Sequence, residues 1–108
     1  MVDIPDRNNP PDIFDLCVLV TLCESKDRYL TISEIHERVN RIIEMTRSGV
    51  ERRAKRLAKW GFATMKKEVN MYYVKITDSG CKFLANLLLH IYERITLAHM
   101  IQYLLKKC

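Results

Sequence analysis

The stretch MTRSGVERRAKRLAKWGF, residues 45–62, decides how this 108-residue chain folds. Thr46 carries a hydroxyl suited to a helix N-cap, and Met45 and Val50 match the hydrophobic staple that fixes how a chain enters a helix. Val50, Ala54 and Leu57 then recur at helical spacing. Gly61 stops the helix as a left-handed residue just past its end, with Phe62 placed to fold back on Leu57 in a Schellman arrangement. The pattern predicts a helix from about Arg47 to Trp60. Its uncommitted positions are mostly cationic.

The same grammar recurs on both sides. Leu30-Thr31 with Ile35 and Ile76-Thr77 with Cys81 repeat the staple around a capping Thr, and Glu34 completes a capping box with Thr31. A helix is therefore expected from about Ile32 to about Ile43, burying Ile35, Val39 and either Ile42 or Ile43. Upstream, Asp12 can cap a helix that is apolar nearly all round, from Ile13 to Cys23, and the polar run Glu24 to Arg28 closes it. Downstream, Phe62–Val69 and Met71–Thr77 flank Asn70 as a strand pair, with Tyr72, Val74 and Ile76 alternating with Tyr73 and Lys75. From Asp78 to Lys107 there is no Pro, and no Gly after Gly80. That segment reads as one helix of roughly 40–45 Å at 1.5 Å per residue. Residues 1–11 show no hydrophobic period and are expected to form a flexible arm. The chain thus divides into an arm (1–11), a folded unit (12–77) and a C-terminal helix (78–108). Its class is mainly α with a small β-hairpin (α+β).

Net charge is +5, but its distribution says more. Residues 1–44 carry five basic and nine acidic groups. Residues 45–67 carry eight basic groups (Arg47, Arg52, Arg53, Lys55, Arg56, Lys59, Lys66 and Lys67) against Glu51 alone. A block of this kind points to a polyanionic partner.

Other classes are disfavoured. His36, His90 and His99 lack partners at metal-ligand spacing, Ser48 and Ser79 lack a His-Asp set, and there is no glycine-rich phosphate loop. No enzyme and no cofactor are expected. The most apolar stretch is broken by His90, Glu93, Arg94, His99 and Gln102, so no membrane span is expected, and the acidic, Pro-containing start does not read as a signal peptide. A cytoplasmic location follows. Cys17, Cys23 and Cys81 read as small core hydrophobes, whereas Cys108 is placed to form an intermolecular disulfide.

The order of helix, short extended piece, helix, helix, hairpin and long helix resembles winged helix-turn-helix regulators of the MarR and PadR type. The matching pieces are Leu30-Thr31-Ile32-Ser33-Glu34-Ile35, Met45-Thr46-Arg47-Ser48-Gly49-Val50, Lys55-Arg56-Leu57 with Trp60-Gly61-Phe62, and Ile76-Thr77-x-x-Gly80. Together they span about half the chain, and its small size is similar to that of compact winged-helix regulators of archaeal viruses and plasmids. The resemblance implies that the helix from Arg47 enters the major groove and that the hairpin is a wing along the DNA backbone. Two departures stand out. Gly49 replaces the larger or hydroxyl residue usual near the start of a recognition helix, and Arg41 to Met45 is longer than the usual turn.

Residue chemistry supports the same assignment. With Val50, Ala54 and Leu57 inward, Arg47, Ser48, Glu51, Arg52 and Lys55 are expected to read base edges: Arg takes guanine bidentately and Glu accepts from cytosine. Glu51 fits equally well as an i, i+4 partner of Lys55. Ser33, Arg38, Arg53, Arg56, Lys59, Lys66 and Lys67 are expected to hold phosphates. Tyr72, Tyr73, Tyr92 and Tyr103 either line a small-ligand pocket or simply pack, and the sequence leaves an effector undetermined.

On the C-terminal helix, Leu84, Leu88, Ile91, Ile95, Ala98 and Leu105 follow a 4-3-4-3 spacing with Gln102 in the polar slot, and Ile101 lies in a second apolar row. Mutual burial in a homodimer covers such a face; the alternative is that the helix folds back on the first. Two-fold symmetry would set recognition helices about 34 Å apart on a pseudo-palindromic operator in double-stranded DNA. The expected function is sequence-specific repression of transcription. A winged helix used for protein–protein interaction and a weakly specific architectural DNA binder are the alternatives.

Overall fold

The computed structural model describes residues 10–107. Most of the arm and Cys108 lie outside them. The elements run α1 (Ile13–Glu24), β1 (Leu30–Thr31), α2 (Ile32–Val39), α3 (Arg47–Lys59), β2 (Ala63–Glu68), β3 (Met71–Ile76) and α4 (Asp78–Lys107). The strands form one antiparallel sheet ordered β1-β3-β2.

Each helix start is closed by the residue the sequence nominates. Asp12 and Asp15 make a reciprocal capping box on α1. Thr31 and Glu34 make another on α2. Thr46 accepts from the Gly49 N–H at 3.0 Å, and Thr77 from the Gly80 N–H at 3.1 Å. Helix α3 ends as expected: Gly61 has φ +81°, and the Phe62 and Gly61 N–H groups bond the Leu57 and Ala58 carbonyls.

Two boundaries differ from the expectation. Helix α2 ends at Val39 rather than near Ile43. The Asn40 side chain clamps the following turn, donating to the His36 and Met45 carbonyls and accepting from the Met45 N–H, while His36 Nε2 also lies 3.0 Å from the Met45 carbonyl. Those bonds satisfy backbone groups that another helical turn would have taken, and leave Ile42 exposed. The hairpin turns on two residues, not on Asn70 alone. Val69 (φ 48°) and Asn70 (φ 64°) are both left-handed, as in a type I′ turn, and the register is Glu68↔Met71, Lys67↔Tyr72 and Lys66↔Tyr73.

The core joins all elements. Leu19, Leu22, Leu30, Ile35, Val39, Val50, Leu57 and Val74 are fully or almost fully buried. The first turns of α4 close it: Phe83 stacks on Phe62 with ring centroids 4.5 Å apart. Thr77 fastens this corner, donating from its hydroxyl to the Gly61 carbonyl at 2.6 Å and from its N–H to Phe62 at 3.0 Å. A Cβ at Gly80 would lie 2.2 Å from the Phe62 carbonyl oxygen, so only glycine permits this approach.

Beyond Leu87 the helix leaves the core. Leu88, Ile91, Ile95, Ile101 and Leu105 are exposed, and the molecule extends 65 Å along its longest axis. Leu84 corrects one expectation: the proposed seam residue is 5% exposed and belongs to the chain's own core. The first turns of α4 pack on α1, and the rest does not fold back.

Candidate nucleic-acid interface

Helix α3 has two charged sides. Arg47, Ser48, Arg52, Lys55 and Lys59 are exposed. Glu51 is half-buried and pairs with Lys55 at 3.4 Å, the i, i+4 alternative that the sequence left open. Arg53 and Arg56 turn inward. The Asp15 carboxylate, with no exposed surface, binds Arg53 at 3.4 Å and Arg56 at 3.1 Å, and Arg53 also binds Asp12. The guanidinium of Arg53 lies over Phe14 and that of Arg56 over Trp60. Burial works against the Asp12 charge, but the Asp15 N–H and the Arg53 guanidinium hold its carboxyl below the usual carboxylate value.

This cluster corrects the phosphate assignment of Arg53 and Arg56. A fully buried carboxylate must be paired, and each arginine supplies a charge-assisted bond to it. Both are spent on joining α1 to α3. Arg38 is also engaged, donating to Ser25 Oγ at 2.8 Å, whereas Ser33 stays exposed at the start of α2.

The wing lies beside the open side of α3. Lys66 and Lys67 are exposed on β2, with Lys66 3.5 Å from Glu68. Their stems are ordered by tyrosines that sequence reasoning did not assign to this surface. The Tyr72 ring lies between Lys55 of α3 and Lys67 of β2, at 5.2 and 5.4 Å. Tyr29 lies 4.4 Å from Lys66 and 5.7 Å from Lys75. Such contacts stabilise by about 0.5–1 kcal/mol at exposed sites and set cation positions more than net stability. The Lys67–Tyr72 pairing would have been legible from a two-residue turn. A small cleft of ≈ 60 Å³ joins the first turn of α3 to the wing tip, with Arg47 and Glu51 on one wall and Asn70, Met71 and Tyr72 on the other.

Tyr92 and Tyr103 stand exposed on α4, apart from Tyr72 and Tyr73 on β3. Among the described residues, no group of three or more His, Cys, Asp or Glu could hold a metal ion, and no helix is long and apolar enough to cross a membrane.

A helix pair with α3 as its second member, followed by a β-hairpin and backed by α1 and α4, defines a winged helix-turn-helix protein. No protein-family model matches the chain, and no curated protein matches it by sequence. Solved structures do. The chain is similar to SSV1 F-93 at 20% identity, covering 81% of this chain and 97% of that one with a TM-score of 0.58. It is similar to the AntR antimony-specific transcriptional repressor at 22% identity, covering 75% of this chain and 68% of that one, TM-score 0.58. It also resembles Sso10a-2, a DNA-binding protein from Sulfolobus solfataricus, at 13% identity, covering 87% and 93% of the two chains with a TM-score of 0.62. At these identities the likeness establishes the winged-helix fold.

Proposed function

We propose that the protein is a homodimeric, sequence-specific double-stranded DNA-binding regulator, acting as a transcriptional repressor in the cytoplasm. The observation that carries this reading is the single basic surface formed by α3 and the wing, with Tyr72 between Lys55 and Lys67. Arg47, Ser48, Arg52 and Lys55 face the bases, with Glu51 exchanging its Lys55 contact for a cytosine amino group. Ser33, Lys59, Lys66 and Lys67 hold the backbone, and Arg38 joins them on leaving Ser25. That AntR is a repressor and Sso10a-2 a DNA-binding protein supports the assignment. No catalytic role is proposed.

Residues 12–77 form the DNA-binding unit in this reading, and 78–108 the dimer element. Leu88, Ile91, Ile95, Ala98, Ile101 and Leu105 are the seam. An apolar face of this length on a lone helix favours association with a second copy. The operator is then pseudo-palindromic.

Selection of bound sites from a random duplex library, followed by titration between about 50 and 200 mM salt, tests the reading. A two-fold-related motif with salt-dependent affinity is expected. No binding at low salt would overturn it, and equal affinity for all duplexes would favour an architectural role. Sedimentation should show a dimer at micromolar concentration; a monomer there would remove α4 as the seam.

A further inference from the structure

The wing ends on an apolar point. Among the described residues Val69 is the most exposed large hydrophobic, at 93%, and Met71, two positions on, is also exposed. Val69 holds φ 48°, a left-handed backbone that a β-branched residue adopts only under strain. Burial does not offset that strain, because the side chain takes no part in the core. Asn or Gly, the ordinary occupants of such a turn position, would relieve it. Strain of this kind clusters at sites that act on a ligand or partner. Three features indicate which partner. The cleft shared by Arg47 and Glu51 with Asn70, Met71 and Tyr72 puts the tip beside the first turn of α3. Lys66 and Lys67 stand exposed directly behind it on β2, placed for phosphates. Asn70, at φ 64°, is the polar neighbour at the tip, and its amide can donate to the adenine N3 and thymine O2 acceptors of a minor groove.

We propose that Val69, backed by Met71, is an apolar wedge that enters a base-pair step in the minor groove flanking the major groove held by α3, and kinks the duplex there. An apolar side chain between two base pairs unstacks them, and the bent duplex then meets more of the protein's basic surface. The Val69 side chain is stiff about its first torsion, so the point keeps its shape as it enters. This wedge presupposes the DNA binding proposed above and adds recognition without hydrogen bonds. Pyrimidine–purine steps unstack at least cost, so the preference at the wing is for a deformable step rather than for a base edge. In a homodimer the two wings place two such kinks symmetrically about the operator centre.

The test uses duplexes carrying the selected site, labelled at both ends for energy transfer, with a fluorescent adenine analogue placed in turn at each flanking step. They are titrated with the full chain and with Val69→Asn, Val69→Ala and Val69→Ile. The parent chain should bend the duplex by about 20–90° and raise the analogue's fluorescence at the wing step, as unstacking does. Val69→Asn and Val69→Ala should lose about half or more of both signals, while the base preferences under α3 persist. Val69→Ile keeps a β-branched apolar tip and should retain both signals. The thermal midpoint of Val69→Asn should not fall below the parent's, which separates loss of the wedge from loss of the fold. A straight parent complex, or signals that Val69→Asn leaves unchanged, would overturn the wedge while DNA binding stands. Failure to bind any duplex would overturn the DNA-binding reading and the wedge with it.

Discussion

Arg52 and Arg53 are adjacent on α3, yet one is exposed while the other keeps 15% of its side-chain surface and is bound to Asp12 and Asp15. The rotation of about 100° between successive helical residues separates them. One arginine remains available to a partner, while the fold has already neutralised the other. Two cations that contribute equally to net charge thus do different work, and counting charge along the chain overstates the surface available to a polyanion.

The largest effect should come from the inward side. Asp15→Ala leaves two guanidinium groups without their buried carboxylate, and about 3–5 kcal/mol of stability should be lost in urea unfolding. Replacing Asp15 with Leu and both Arg53 and Arg56 with Met should recover most of that loss. A cost under about 1 kcal/mol for Asp15→Ala would mean that the cluster does not hold α1 to α3.

The outward side should respond in the opposite manner. Arg52→Ala is expected to weaken operator binding by about 1–3 kcal/mol and relax base preference, with stability unchanged within about 0.5 kcal/mol. Arg53→Ala should chiefly lower stability. If Arg53→Ala weakened DNA binding in a chain of unchanged stability, the division between the two sides would fail.

Acid should act on the inward side next. The Asp12 carboxyl titrates below its unfolded value, so its contribution is present above about pH 4 and is lost as pH falls through the lower folded value. Glu34 behaves alike, held down by the Thr31 N–H and Arg28 against burial. Thermal midpoints followed from pH 6 to pH 2 should fall less steeply in Asp12→Asn and Glu34→Gln than in the parent chain.

The smallest effect belongs to the wing tip, where Val69 is 93% exposed at φ 48°. A β-branched residue is strained in this region, so Val69→Asn should stabilise by about 1 kcal/mol in thermal unfolding. No gain would indicate that the turn relaxes away from its left-handed form.

Much of the fold was legible because its signals are local. The threonines at 31, 46 and 77 each announce a helix within four residues, and Gly61 announces an end. The Asp12–Asp15–Arg53–Arg56 cluster was not, because its partners lie 38 to 41 residues apart and only tertiary packing brings them together. The turn at Val69-Asn70 was half legible: Asn favours a left-handed backbone, but Val does not, and the first turn residue, Val69, therefore looked like strand. The exposed cations of α3 followed from helical periodicity. The rings beneath the lysines required the sheet register.

The contact between Gly80 and the Phe62 carbonyl has a mechanical consequence. With no side chain between them, and with Thr77 bonded to the Gly61 and Phe62 carbonyls, the root of α4 is tied to the start of the wing. A helix of about 45 Å then acts as a lever, and a 5° tilt at its root displaces its far end by about 4 Å. Any event that re-angles this corner would be read out, enlarged, at the opposite end of the molecule.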